Sequence, residues 1–166
     1  KAPFRLNKEF TLKDLCSQIQ RLSALSKTFS IRLKVRKLGN FIALMMDPNE
    51  QKMQNLASNL VENLDYFRAP LHQEEIDKRR MSNLTTREDK NLLNWGYPYV
   101  FNDFRFHITL TEKIQCKSDR EFMVSAASSH FSGSLENTIK VSSISLFVQE
   151  SSEADFLQIQ QFALEE

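Results

Sequence analysis

Phe104-Arg105-Phe106-His107-Ile108-Thr109-Leu110-Thr111 is the stretch on which the reading of this chain turns. Phe104, Phe106, Ile108 and Leu110 alternate with Arg105, His107, Thr109 and Thr111, a period of two that predicts a half-buried β-strand. Alternate side chains of a strand share a face, so His107 and Thr109 emerge together, with Arg105 on the same side. An imidazole exchanges a proton near neutral pH. A hydroxyl one pleat away can donate to a phosphoryl oxygen, and a guanidinium adds positive charge. Taken alone, the alternation is weak evidence of function and fits a solvated sheet face better.

Upstream of this strand, Thr86-Arg87-Glu88-Asp89 predicts the start of a short helix through Leu92, Leu93 and Trp95. Gly96 suits its C-terminal cap, and Tyr97-Pro98-Tyr99 cannot be helix interior. Residues 73–80 read as a polar, charged connection. Asp47-Pro48-Asn49-Glu50 combines a capping Asp, Pro at the first helical position and an acid in the first turn. The stripe Met53, Leu56, Leu60, Leu64 and Phe67 follows, and Pro70 ends it. Earlier still, Thr11-Leu12-Lys13-Asp14 is a capping-box pattern before the stripe Leu12, Leu15, Ile19, Leu22 and Leu25. Residues 29–38 alternate as a strand, with Ile31, Leu33 and Val35 on one face and Arg32, Lys34 and Arg36 on the other. Gly39-Asn40 turns the chain into a second strand at 41–46, which predicts a hairpin.

Downstream, Ser118-Asp119-Arg120-Glu121 predicts a helix to about Phe131. Residues 139–148 and 156–164 predict a second hairpin. The order of strand, capped helix and hairpin therefore occurs twice, with Val35 expected to match Val141. We read an α+β fold of two pseudo-symmetric lobes of antiparallel sheet with outer helices, their polar faces toward a cleft. The first lobe covers 1–47 and is incomplete, connecting helices cover 48–102, and the second lobe covers 103–166 of one bilobal domain.

Composition narrows the function classes. Of the 166 residues, 41% are hydrophobic, enough for a core. The 22 Lys and Arg residues nearly balance 21 Asp and Glu residues, which argues against a general nucleic-acid binder or a polybasic membrane anchor. With glycine only at positions 39, 96 and 133, neither GxGxxG nor a Walker motif can be written. Cys16 and Cys116 form no CxxC or Cys/His cluster, so neither a zinc site nor a disulfide framework is expected. No apolar run approaches the ~20 residues of a membrane span, and a cytoplasmic location is expected. The chain begins at Lys1 and not at Met, so a preceding segment is expected to be missing.

The stretch from Trp95-Gly96-Tyr97-Pro98-Tyr99-Val100 to Phe104–Thr111 resembles a bacterial family of two-histidine (2H) phosphoesterases, usually encoded beside phosphonate-degradation genes. Lys1-Ala2-Pro3-Phe4, Leu38-Gly39-Asn40-Phe41, Phe67-Arg68-Ala69-Pro70 and Arg79-Arg80 share the resemblance, which covers nearly the whole chain. It implies the LigT-like, or 2H phosphoesterase, fold, in which each lobe supplies one His-x-Thr/Ser strand. The first of these motifs would fall just before Lys1, which would continue its strand. Neither His72 nor His130 carries the pattern, and both read as ordinary residues.

The implied activity is a metal-independent phosphodiesterase for cyclic or 2′,5′ phosphodiesters, in phosphonate or nucleotide metabolism. One neutral imidazole would take a proton and one imidazolium would give one, with Thr109 holding a non-bridging oxygen. The implied catalytic residues are His107 and Thr109. Arg105, Lys1, Tyr97, Tyr99 and Arg68 would bind substrate, without cofactor or metal. The expected partners are a small phosphorylated or cyclic-phosphate substrate or an RNA end, with no membrane. This 166-residue piece is expected to be largely inactive, because one histidine is missing. A competing reading is a non-catalytic binding protein for a phosphorylated metabolite or RNA end.

Overall fold

The computed structural model describes residues 2–46, 50–151 and 153–166. Among them the helices are α1 (Leu12–Ala24), α2 (Gln51–Leu64), α3 (Gln73–Arg80), α4 (Thr86–Trp95) and α5 (Lys117–His130). The strands are β1 (Phe29–Ile31), β2 (Leu33–Leu38), β3 (Phe41–Met46), β4 (His107–Thr109), β5 (Ile139–Val141), β6 (Ser143–Val148) and β7 (Leu157–Ala163). The chain is thus α+β, with small antiparallel sheets.

Local chemistry explains most of the helix ends. Thr11 Oγ1 accepts from Asp14 N at 3.2 Å, and Thr11 N donates to the Asp14 carboxylate at 2.8 Å, closing the expected capping box. For α4 the box sits one residue earlier than expected, at Thr85, because Glu88 is the acid three residues on. Gly96 takes φ +76° as its left-handed cap. For α5 the cap is Cys116, not Ser118, which lies in the first turn. The helix start read at Asp47-Pro48-Asn49 lies outside the described residues. The connection at 73–80 is a correction: it is helix α3, without a buried residue. Polar pairs hold it, with Arg5 on Glu75 at 2.7 Å, Gln73 on Asp77 at 2.8 Å and Arg80 on Asp89 at 2.7 Å.

The described residues divide into two compact units. The first contains 2–28, 55–104 and 142–166, apart from Ser152, which is outside the described residues. Its core is Leu15, Ile19 and Leu22 of α1 with Leu64, Phe67 and Phe162. Helix α1 packs on the β6–β7 hairpin. The second unit contains 29–46, 50–54 and 105–141. Here β2 and β3 pair across a two-residue loop, Leu38 opposite Phe41, with Gly39 at φ +58°. A glycine with positive φ at the first loop position is the type II′ arrangement, whose twist suits a hairpin. Strand β4 extends this sheet in the order β2-β3-β4, and β1 pairs separately with β5. Helix α5 packs on β2 and β3.

The strands do not stay within the two helix-plus-hairpin halves read at 1–47 and 103–166, since β4 of the second joins β3 of the first. Each of the two extended runs breaks at one residue, Arg32 and Ser142. Helix α1 lies on the hairpin of the other half of the chain, β6–β7, and α5 lies on β2–β3. Val141 is not the counterpart of Val35. It pairs with Phe29, joining the short strands β5 and β1.

Candidate active site

Strand β4 is shorter than its sequence pattern. Only His107–Thr109 pairs, with Met45 opposite His107, Leu44 opposite Ile108 and Ala43 opposite Thr109. Residues 104–106 are not strand, because a 3-10 turn at Phe101–Asp103 precedes them. Ile108, expected on the buried face, is 46% exposed. It belongs to the outermost strand of the sheet, while α5 covers β2 and β3.

Residues directly opposite in antiparallel strands project to the same face. His107 therefore shares a face with Met45, and Thr109 shares it with Ala43. Continuing across β2, Lys34 lies opposite Met45 and Arg36 opposite Ala43. Helix α5 is on the other face, where Lys37 of β2 meets Glu121 at 3.4 Å. The His107 face is thus the one that α5 leaves uncovered. His107 and Thr109 are both exposed on it.

The imidazole is oriented by its own backbone. His107 Nδ1–H donates to the carbonyl of Arg105 at 2.8 Å. A carbonyl can only accept, so this bond puts the proton of the neutral ring on Nδ1 and leaves Nε2 as the basic atom. Arg105 thus contributes a carbonyl to the arrangement, and its side chain is exposed. Thr109 and Thr111 differ. The Thr111 hydroxyl accepts from Ile42 N at 3.1 Å and donates to Glu112 O at 2.9 Å, a structural role. The Thr109 hydroxyl has no partner among the described residues, so it is available to an incoming oxygen.

Arg68, Tyr97 and Tyr99 belong to the first unit. Arg68 donates from Nε and Nη2 to the Asp65 carboxylate at 2.9 and 3.0 Å, and from Nη2 to Asn94 O at 3.1 Å. This ion pair offsets its charge. Its stem passes so close to Gly96 that an added Cβ would lie 2.7 Å from Arg68 Cδ. Arg68 also lines a cavity of about 310 Å³ with Pro70, Leu71, Ile76 and Leu93. Tyr97 and Tyr99 meet edge to face at 5.6 Å, and the Arg79 guanidinium stands 5.1 Å from the centre of the Tyr97 ring. Lys1 lies outside the described residues. His72 precedes α3, with its N–H donating to Glu75 at 2.7 Å, and His130 ends α5 against Phe131. Among the described residues no three His, Cys, Asp or Glu side chains are arranged to hold a metal ion. No helix among them is long and apolar enough to cross a membrane.

Comparison with known proteins bears on this arrangement. Residues 1–157 match the family described as "Protein of unknown function (DUF1045)". The chain belongs to the DUF1045 family. Two curated proteins named "Ribose 1,5-bisphosphate phosphokinase PhnN" are relatives of this DUF1045 chain. That of Janthinobacterium sp. (strain Marseille) is 35% identical over 138 residues, which is 81% of this chain and 30% of the relative. That of Laribacter hongkongensis (strain HLHK9) is 28% identical over 156 residues, or 94% of this chain and 36% of the relative. The DUF1045 chain therefore spans about a third of the length of the curated relatives it matches. No solved structure matches it.

Proposed function

We propose that this chain carries part of a metal-independent phosphodiesterase acting on a cyclic or 2′,5′ phosphodiester of a sugar phosphate or nucleotide. The observation that carries the reading is His107: Nδ1 is engaged by the Arg105 carbonyl, and the ring is exposed on the face it shares with the unpartnered Thr109 hydroxyl. A neutral imidazole with a free Nε2 removes a proton from water or a ribose hydroxyl, and its protonated form gives one to a leaving oxygen. Thr109 donates to the non-bridging oxygen where charge builds up.

In this reading the protein has the two-lobed LigT-like fold. In this reading a second His-x-Thr strand of the intact protein supplies the complementary acid or base. Lys1, Arg68, Tyr97 and Tyr99 bind substrate, with Arg105 beside the imidazole. The relatives' name points to a ribose phosphate as the substrate class. A kinase that cradles nucleotide phosphates in a Gly-rich loop needs paired glycines. Glycines at 39, 96 and 133 do not provide them, so in this reading the phosphokinase name belongs to the part of those relatives outside the match.

The test is the complete gene product with 2′,3′-cyclic nucleotides in excess EDTA. Turnover is expected, with a bell-shaped pH profile from two imidazoles in opposite states. His107→Ala should lower it by about 10²- to 10⁴-fold. Turnover that appears only with added divalent metal, or that survives His107→Ala, contradicts the reading.

A further inference from the structure

We propose that Lys34 and Arg36 of β2 form a second anion-binding row on the face that carries His107 and Thr109, so that the substrate bears another anionic group besides its diester. The inference rests on the phosphodiesterase reading and specifies its substrate. The register places Lys34, Met45 and His107 in one line across the sheet, and Arg36, Ala43 and Thr109 in the next. All six side chains project to the face opposite α5. Two strand spacings separate the cations' backbone from that of His107 and Thr109, roughly 10 Å. Both cations are long and flexible, so their heads can close much of that distance.

The middle strand favours such a bridge. Ala43, between Arg36 and Thr109, carries only a methyl group, and being fully buried it makes no contact with a ligand itself, so the bridge rests on the longer side chains on either side. Met45, between Lys34 and His107, is adaptable and uncharged. Neither cation has an ion-pair or hydrogen-bond partner among the described residues. Lys37, one residue beyond Arg36 on the opposite face, pairs with Glu121 at 3.4 Å. The β2 cations therefore divide by face: one is matched by a helix acid, and two are left for a ligand. A diester held at His107 and Thr109 would bring a phosphomonoester on the same sugar toward Lys34 and Arg36. Arg36 suits that group because its planar fork donates to two phosphate oxygens at once.

The experiment compares 2′,3′-cyclic AMP with its 5′-phosphorylated form, using the complete gene product in EDTA. The phosphorylated probe should have a kcat/KM about 10- to 100-fold higher, mainly through KM. In Lys34→Ala/Arg36→Ala that ratio should fall to about one, and Arg36→Lys should keep only part of it, because an ammonium keeps the charge but not the paired donors. A variant that merely misfolds would lose both probes together, so the ratio is read on protein whose circular dichroism matches the wild type, with Arg36→Ala alone as the second variant. A wild-type ratio near one, or a preference that survives the double substitution, overturns the proposal. If neither probe is opened, the phosphodiesterase reading falls, and binding of inorganic pyrophosphate decides the row. Binding weakened about tenfold or more in the double variant supports it, and unchanged binding overturns it.

Discussion

Helices α1 and α5 each lie on an antiparallel hairpin, yet they are held in different ways. Helix α1 starts from a closed capping box and buries Leu15, Ile19 and Leu22 in the core of the first unit. Helix α5 starts at Cys116, whose side chain makes no cap bond to the helix backbone, and it has no buried residue. Its Phe122 is 72% exposed, and its bond to the sheet from Glu121 to Lys37 is a surface ion pair. Such pairs contribute little. Apolar burial stabilises more, by about 25 cal/mol per Å². The difference assigns stability to the helix of the first unit. The candidate chemistry sits on the sheet of the second, on the face that its helix does not cover. Regions that bind and react are commonly drawn from the less stable end of a structure.

Substitution in the two helices should separate them most strongly. Ile19→Ala removes a side chain that is 3% exposed and is expected to cost about 2–5 kcal/mol, by lost burial and the cavity left behind. Phe122→Ala should stay within about 0.5 kcal/mol. Chemical denaturation of both variants checks this, and equal losses would break the contrast.

The caps should give the next largest effect. Thr11→Ala is expected to destabilise by about 1 kcal/mol. Cys116→Ser should act in the opposite direction, because a serine oxygen accepts from the first-turn N–H groups far better than sulfur. Amide exchange in the first turn of α5 should slow in that variant. No change there would mean that the thiol already caps the helix.

The smallest effect is electrostatic. The Thr11 hydroxyl, the Thr11 backbone N–H and nearby Lys13 hold the Asp14 carboxyl below the usual carboxylate range. Its folded pKa is thus below its unfolded value. Its stabilising contribution is present above the unfolded pKa and is lost as pH falls through the folded one. Asp14→Asn should lower Tm near pH 7, and the difference should be lost as pH falls through the folded pKa. A gap that persists in acid would assign the effect to shape and not to charge.

How much of this was legible in the sequence depended on the range of the forces involved. The Thr11 box, the Gly39 turn and the Gly96 cap are local arrangements of a few residues, and each could be read directly. So could the shared face of His107 and Thr109, because a strand's period is local. Helix α3 was not legible. Its residues have no apolar stripe, and Arg5, Asp89 and Tyr97 reach it from distant parts of the chain. Strand partners were decided only in three dimensions. Val141 pairs with Phe29, and the His107 strand joins the hairpin of the other half of the chain, because pairing depends on contacts far apart in sequence. The Nδ1 bond to Arg105 and the alignment of Lys34 and Arg36 with His107 and Thr109 followed from that folding. Alternation tells which side of its own strand a residue occupies, but the register between strands determines which residues meet there.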